Sequence, residues 1–270
     1  MSAEIIRPPV NITTLQRMKA QGEKIACLTC YDASFTRVLE DAGIDVFIVG
    51  DSLGMVLKGH ESTVAVTMKD MIYHAANVAR SGRHALRVVD LPFMTYATRE
   101  QALANAARLM REGGAHVVKL EGGSVVAGVV EHLARHAIPV CGHIGLQPQS
   151  VHALGGYRVQ GRDAAGADAV LADARALEAA GASLLVIECV PAELAARISA
   201  AVTIPTIGIG AGPACDGQVL VLYDMLGITP GKRPRFVKDF LGQAGSVPAA
   251  ISAYVSAVRD GSFPGPEHCF

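Results

Sequence analysis

The chain has 270 residues, of which half are hydrophobic and 18% are charged, and its formal net charge is −1 at pH 7. This length suits one α/β barrel of about 250 residues, and the apolar share is enough for a sizeable core. The near-neutral charge, without a basic stripe or a polybasic tail, argues against nucleic acid or an anionic membrane as the main partner.

The N-terminal segment gives no targeting signal. Residues 1–14 lack the apolar run of a signal peptide. No window of the sequence approaches about 18 uninterrupted apolar residues, the length that a spanning helix needs. We therefore expect a soluble, cytoplasmic protein that acts on small molecules.

Short apolar segments rich in β-branched residues recur along the chain. Such runs are typical of strands that are buried on both faces of a parallel sheet. The predicted strands are IACLTCYD (25–32), VFIVGDS (46–52), LRVVDLPF (86–93), HVVKLEGG (116–123), PVCGHIGL (139–146), LLVIECVP (184–191), IPTIGIGAG (204–212) and QVLVLYDML (218–226).

Segments with helical period lie between these strands. SFTRVLEDAG (34–43) begins with a serine cap and ends on a glycine. In the segment 98–114, Thr98 and Gln101 have the spacing of a capping box. Further helices are predicted over VVAGVVEHLARHA (125–137), ADAVLADARALEAAGA (167–182) and PAELAARISAA (191–201).

Strand and helix alternate about eight times, which predicts a single (β/α)8 TIM barrel over residues 1–270. A doubly wound open sheet is the alternative, but CYDASF (30–35) stands where its glycine fingerprint would follow the first strand. The long Gly-rich insertion 147–166 is expected to be an active-site loop. Helical stretches at 236–242 and 247–261 are expected to form an interface or to cover the barrel floor.

Two of the six cysteines, Cys27 and Cys30, form a C-x-x-C pattern inside a predicted strand. Residues three apart on a strand face opposite sides, roughly 10 Å apart along the chain. No second pair completes a zinc site. We interpret these cysteines as small core residues.

Polar residues stand at the ends of five consecutive predicted strands, where a barrel of this kind places its chemistry. Each alone has a structural interpretation: an acid can cap a helix, Lys119 and Glu121 can form an ion pair, and His143 can be a core histidine. The residues are Asp51, Ser52, Asp90, Lys119, Glu121, His143 and Glu188.

Several carboxylates in one pocket of low dielectric constant would repel each other, so a divalent cation is expected among them. Oxygen ligands favour Mg²⁺ over zinc. Asp51 and Asp90 are the expected direct ligands, and Glu121 is expected to bind directly or through water. The open positions suit a 2-oxo acid, whose ketone the ion would polarise. The glycine-rich stretch 208–212 allows either a phosphate site or tight packing.

Nine sequence blocks resemble, in order, those of the ketopantoate hydroxymethyltransferase family. This resemblance implies a barrel of the phosphoenolpyruvate mutase/isocitrate lyase type. It also implies transfer of a one-carbon unit from 5,10-methylenetetrahydrofolate to 3-methyl-2-oxobutanoate, giving 2-dehydropantoate on the route to pantothenate and coenzyme A. The blocks are VGDSLGM, DMIYH, DLPFMTY, GGAHVVKLEGG, HIGLQPQS, GGYRVQGR, IPTIGIGAG, CDGQVLV and FPGPEHCF.

The resemblance also implies roles for individual residues. Ser52 and Lys119 would hold the substrate carboxylate, and Glu188 would accept the proton. The metal ligands would be Asp51, Asp90 and Glu121, the first two also contacting the substrate at the metal site, and the role of His143 stays open. Gln147 and the stretch KGHEST (58–63) depart from the family pattern.

The family's large rings imply a homo-oligomer, with a decamer as the expected form. Two alternatives stay open from the sequence. One is a Mg²⁺-dependent C–C lyase or decarboxylase of a 2-oxo acid on the same barrel. The other is a barrel without catalytic activity that binds a metabolite or serves as an assembly subunit.

Overall fold

The computed structural model describes residues 8–270. Residues 1–7, the first half of the segment expected to lack a signal, lie outside the described residues. Eight parallel strands form a closed barrel in which each strand pairs with the next and the last pairs with the first. The strands are β1 (Ile25–Thr29), β2 (Val46–Val49), β3 (Leu86–Asp90), β4 (Val117–Glu121), β5 (Val140–Gly145), β6 (Leu184–Glu188), β7 (Thr206–Ile209) and β8 (Gly217–Leu220).

Helices surround the barrel, and in residues 8–270 none is long and apolar enough to cross a bilayer. Short 3₁₀ turns occupy Thr63–Ala65, Ser124–Val126, Pro148–Ser150 and Pro266–His268. The α-helices are α1 (Ile12–Gln21), α2 (Ala33–Ala42), α3 (Leu53–Val56), α4 (Met68–Ser81), α5 (Arg99–Arg111), α6 (Ala127–Arg135), α7 (Val151–Leu154), α8 (Ala164–Ala179), α9 (Ala192–Ala201), α10 (Leu222–Met225), α11 (Leu241–Ala244) and α12 (Val247–Arg259).

The apolar core has two layers, one inside the barrel and one between the strands and the helices. Helix α1 closes the N-terminal end, because its Leu15 and Met18 pack with barrel-interior residues such as Ile25 and Val46. This helix is missing from the sequence prediction. The open end of the barrel is therefore the C-terminal end, where the functional groups were expected.

The C-terminal helices cover the barrel wall rather than its floor. Strands β7 and β8 follow each other without an intervening helix, so the predicted alternation fails once. Helix α12 packs against β1 and α2 and so supplies the outer cover after β8. Its Tyr254 hydroxyl lies 2.8 Å from the carbonyl oxygen of Cys27 and 2.9 Å from that of Gln218.

Several predicted element boundaries differ from those in the structure. Asp32, rather than Ser34, caps α2 by accepting from two backbone amides. Thr98 caps α5 as predicted, but the side chain of Gln101 accepts from Ala97, so the box is incomplete. The predicted strand 218–226 runs into helix α10, and the predicted helix 236–242 contains only the start of α11.

The insertion 147–166, which was expected to be a loop, contains helical structure. Its first part forms the 3₁₀ turn Pro148–Ser150 and helix α7, and its last residues belong to α8. Residues 155–163 connect these helices. Cys27 in β1 and Cys30, directly after it, face opposite layers as predicted: Cys27 lies in the barrel interior and Cys30 in the outer layer, and both are free thiols.

Candidate active site

A cavity of about 520 Å³ lies at the C-terminal end of the barrel. Parallel strands place their carboxyl ends on the same rim, so side chains that are far apart in sequence meet there. All of the predicted site residues line this cavity: Asp51, Ser52, Asp90, Lys119, Glu121, His143 and Glu188.

Asp90 is the centre of the first group of contacts. Its Oδ2 atom accepts a 3.1 Å hydrogen bond from the backbone amide of Asp51 and lies 2.9 Å from the ammonium nitrogen of Lys119. A Cβ at Gly50 would stand 2.9 Å from the hydroxyl of Ser52, so a larger residue there would displace the Ser52 side chain. Lys119 therefore pairs with Asp90 and does not form the ion pair with Glu121 that the sequence allowed.

His143 is the centre of the second group. Its Nδ1 atom lies 3.4 Å from Glu121 Oε1 and 3.4 Å from the nitrogen of Lys119. Its Nε2 atom lies 3.1 Å from Glu188 Oε2, an ion-pair distance that does not meet hydrogen-bond geometry. The histidine therefore links strands β4, β5 and β6 across the cavity floor.

The environment of the carboxylates at this end disfavours their charged forms. Burial raises the pKa of Asp51 well above its usual value, and the charges of Asp90 and Glu121 raise it further. Burial also raises the pKa of Asp90, against the opposing effect of Lys119. Four acidic side chains stand at this end of the cavity against two basic ones, Lys119 and His143, a composition that suits a bound cation.

The two basic side chains at this end of the cavity, Lys119 and His143, have pKa values that these acids raise. Burial by itself would lower the pKa of Lys119, but Asp90, Glu121 and Asp51 outweigh it and raise the pKa. Burial and Lys119 would lower the pKa of His143, yet Glu121 and Glu188 raise it to about 9. Lys119 is thus a buried permanent cation, suited to a carboxylate ligand.

Gln149 is a site residue that the sequence prediction missed. Its amide nitrogen donates to Asp51 Oδ2 over 2.8 Å and to the carbonyl of Leu91 over 3.0 Å. Its backbone amide donates to Glu121 Oε2 over 2.9 Å. The hydroxyl of Tyr96 donates to its amide oxygen over 2.5 Å. Gln149 therefore fixes one oxygen of each of two predicted metal ligands.

The signal for Gln149 was its place in the insertion 147–166, which was predicted to be an active-site loop. Nothing in the sequence says which polar residue of that insertion turns inward. In the structure only 4% of Gln149 is exposed, because the 3₁₀ turn Pro148–Ser150 carries it over the barrel mouth.

The donor set fits a magnesium ion. Asp90 Oδ1 and Glu121 Oε1 are buried and make no hydrogen bond. Within residues 8–270, no group of three or more His, Cys, Asp or Glu side chains is arranged to hold a metal. Mg²⁺ needs only one or two protein carboxylates, since water and substrate oxygens complete its octahedron. Asp51 and Asp90, two buried acids that line the same cavity, meet that requirement.

The closed barrel with its acidic C-terminal mouth defines a (β/α)8-barrel protein, a fold shared by solved members of the phosphoenolpyruvate mutase/isocitrate lyase superfamily. One similar solved structure is 2,3-dimethylmalate lyase, a member of that superfamily, with a TM-score of 0.58 and 18% identity over 80% of this chain and 82% of that one. Another is phosphonopyruvate hydrolase with oxalate and Mg²⁺, with a TM-score of 0.60 and 10% identity over 96% and 93%. At these identities the likeness establishes the fold alone.

The family follows from sequence comparison. The family model described as ketopantoate hydroxymethyltransferase matches residues 9–266. A 3-methyl-2-oxobutanoate hydroxymethyltransferase of Alkalilimnicola ehrlichii is 60% identical over 98% of this chain and 95% of the relative. One of Nitrosococcus oceani is 58% identical over 94% and 97%. The chain belongs to the ketopantoate hydroxymethyltransferase family, as its sequence blocks predicted, and is an enzyme of pantothenate biosynthesis.

Proposed function

We propose that the chain transfers a hydroxymethyl unit from 5,10-methylenetetrahydrofolate to 3-methyl-2-oxobutanoate and forms 2-dehydropantoate, with Mg²⁺ as its cofactor. The observation that carries this proposal is the convergence of Asp51, Asp90, Lys119 and Glu188 on one cavity. A distant neighbour of the same fold, phosphonopyruvate hydrolase, has been solved with oxalate and Mg²⁺, which supports a magnesium site for a small oxo acid.

Asp51 and Asp90 would hold the ion, and Glu121 would join them directly or through water. Their place in the protein supports this assignment, since Asp51 follows β2 and Asp90 ends β3, the next strand of the barrel. The free oxygen of Asp90 is available because its other oxygen takes both the amide and the ammonium contact. When bound, Mg²⁺ withdraws electron density from the keto oxygen of the substrate.

Ser52 and Lys119 bind the substrate carboxylate. Lys119 is 5% exposed and carries a positive charge, so a carboxylate gains a strong partner there. The hydroxyl of Ser52 lies 2.9 Å from the hydroxyl of Tyr31, which holds it at the cavity wall. Asp51 and Asp90 would contact the same substrate at the metal site that their carboxylates form.

Glu188 accepts the proton from C3 of the keto acid, the carbon next to the ketone. It stands at the end of β6, and its side chain is 14% exposed, so it faces the cavity while the other acids are more deeply buried. His143, 3.1 Å away, positions the Glu188 carboxylate. The carbon nucleophile formed at C3 then bonds to the methylene carbon of the folate. Both C–N bonds of that carbon break, a water molecule supplies the hydroxyl oxygen, and tetrahydrofolate leaves with the C3 proton and one proton of the water on its nitrogens.

The proton-transfer role is tested by exchange of the C3 hydrogen into D₂O. In Glu188→Gln, exchange should fall by at least about 100-fold while the keto acid still binds. Glu193→Gln makes the same change on the exposed start of α9 and should leave exchange intact. Undiminished exchange in Glu188→Gln would remove Glu188 from the base role.

The overall reaction is tested by product formation from purified protein. It should require the keto acid, Mg²⁺ and the folate donor together. Turnover of a 2-oxo acid without a folate would instead indicate the lyase or decarboxylase alternative, and its absence under all conditions would indicate a barrel without catalytic activity.

We further propose that residues 1–270 work as one barrel domain, with 147–166 as its active-site loop. The protein would act in the cytoplasm on small molecules, without nucleic acid or membrane partners. It would assemble as a homo-oligomer, with a decamer as the expected form. Light scattering on the purified chain measures the assembly directly.

A further inference from the structure

The cavity has two chemically different ends. The four acidic side chains among its lining residues are all at the strand ends, where they are buried or nearly so. The outer end carries cations instead, and every one of them is exposed to solvent. We call these residues the basic rim: Arg158, Lys232, Arg233 and Arg235.

Two arginines of the basic rim are held in place by neighbouring residues. Arg233 lies 3.1 Å from a carboxylate oxygen of Asp239 and donates to the carbonyl of Gly227 over 3.0 Å. Arg235 donates to the carbonyl of Glu267 over 3.1 Å, and its guanidinium carbon lies 5.7 Å from the ring centre of Phe270. Fixed cations lose less side-chain entropy when an anion binds.

Aromatic side chains lie beside the basic rim. Phe236 and Phe270 both pack over the end of β7, where a Cβ at Gly210 would stand 2.9 Å from the first ring and 3.2 Å from the second. Tyr157, which is 50% exposed, lines the same cavity. Together with the apolar stretch 219–221, these rings offer a surface for a flat heterocycle.

The keto acid leaves this outer part of the cavity free. A small 2-oxo acid bound by Lys119 lies at the strand ends, and a cavity of about 520 Å³ has the size of a site for a much larger ligand. A folate is such a ligand, since it joins a flat pterin to a glutamate tail that is anionic and that further glutamates can extend.

We propose that the basic rim binds the anionic glutamyl tail of the folate donor, while the neighbouring aromatic side chains contact its rings. This inference rests on the proposed function, in which the donor is a folate. Each anionic substrate group then has its own cations: the keto acid meets Lys119 and the metal ligands, and the tail meets Arg158, Lys232, Arg233 and Arg235. An anionic tail gains from several cations at once, so a longer tail should bind more tightly.

The test compares donors with one and with several glutamates. In the unaltered enzyme the KM of the donor should be lower for the longer tail, and this advantage should shrink as salt is raised. Arg158→Glu with Lys232→Glu should raise the KM of the long-tailed donor by about 2- to 10-fold or more, so that the two donors become equal. These two residues are chosen because Arg233 and Arg235 also support the local structure.

Arg37→Glu with Lys69→Glu is the matched control. It makes the same change of charge on exposed residues of α2 and α4, which do not line the cavity, and should keep the difference between the donors. Arg158→Gln with Lys232→Gln repeats the test without adding acids, in case the first pair fails to fold.

The outcomes separate the two proposals. Product from both donors with equal KM in the unaltered enzyme, or an advantage that survives in the Arg158 and Lys232 variants, overturns the basic-rim assignment and leaves the proposed function standing. Keto-acid turnover that depends on neither donor overturns the proposed function and this assignment with it.

Discussion

The backbone amide of Asp51 donates a 3.1 Å hydrogen bond to Oδ2 of Asp90, and this contact ties the residue after β2 to the last residue of β3. Both residues are buried, and Asp90 Oδ1 makes no hydrogen bond. The proposed metal binding and the local stability consequently depend on the same carboxylate.

Asp90→Asn should weaken both properties. Lys119 would lose its partner at 2.9 Å and keep only the charges of Glu121 and Asp51, at a cost of about 1–3 kcal/mol in the free energy of unfolding. Binding of Mn²⁺, followed by electron spin resonance, should weaken at least about tenfold. Asp90→Asn with Lys119→Met should recover most of the stability in urea unfolding and none of the metal affinity. Recovery of both would mean that Asp90 is not a metal ligand.

Gln149→Leu should reduce activity more than it reduces stability. Asp51 Oδ2 and the carbonyl of Leu91 would each lose a buried donor, which costs about 1–3 kcal/mol of unfolding free energy. Because the freed carboxylate is a proposed metal ligand, Mn²⁺ affinity and kcat/KM should fall about 10- to 100-fold. Gln16→Leu, on an exposed face of α1, is the control. Unchanged Mn²⁺ affinity would show that Gln149 serves stability alone.

Tyr254→Phe should destabilise the barrel without altering the site. The lost hydroxyl contacts the carbonyl oxygens of Cys27 and Gln218, so α12 would lose its polar link to β1 and β8. We expect a loss of about 1–3 kcal/mol in urea unfolding, with KM for the keto acid unchanged. Tyr73→Phe removes a hydroxyl from a side chain that is 66% exposed and should have no effect. Equal stability of the two variants would contradict the role of Tyr254.

Asp70 should make stability depend on pH in acid. Burial would raise its pKa, but Lys58, at 2.8 Å, and Thr67 lower it to about 2. A depressed pKa stabilises the fold above the unfolded value of about 3.9, and this contribution is lost as the pH falls toward 2. Asp70→Asn should therefore cost under about 1 kcal/mol near pH 6, and this cost should shrink as the pH falls from 4 to 2, measured by urea unfolding. A constant difference across that range would refute the assignment.

Much of the fold could be predicted from local patterns. Buried parallel strands appear as continuous apolar runs, and the helices between them carry caps and an apolar face, so each element is visible in its own stretch of sequence. The barrel rule then places strand ends together, which is why Asp51, Asp90 and Glu188 could be assigned to one site before any contact was known.

Other features have no local signal. Helix α12 covers β1, more than 200 residues away in the chain, because its apolar face fits the wall left open after β8. Gln149 reaches Asp51 across 98 positions, and Lys119 pairs with Asp90 rather than with Glu121 two residues away on its own strand.

By itself the sequence determined the kinds of element, their order, the family and the side chains available for chemistry. Only the tertiary structure decided which of these side chains meet, which oxygens stay free and how the cavity divides into an acidic floor and a basic rim. The physical reason is range: helix and strand formation depends on neighbours along the chain, whereas contacts and burial depend on strand register and packing between distant segments.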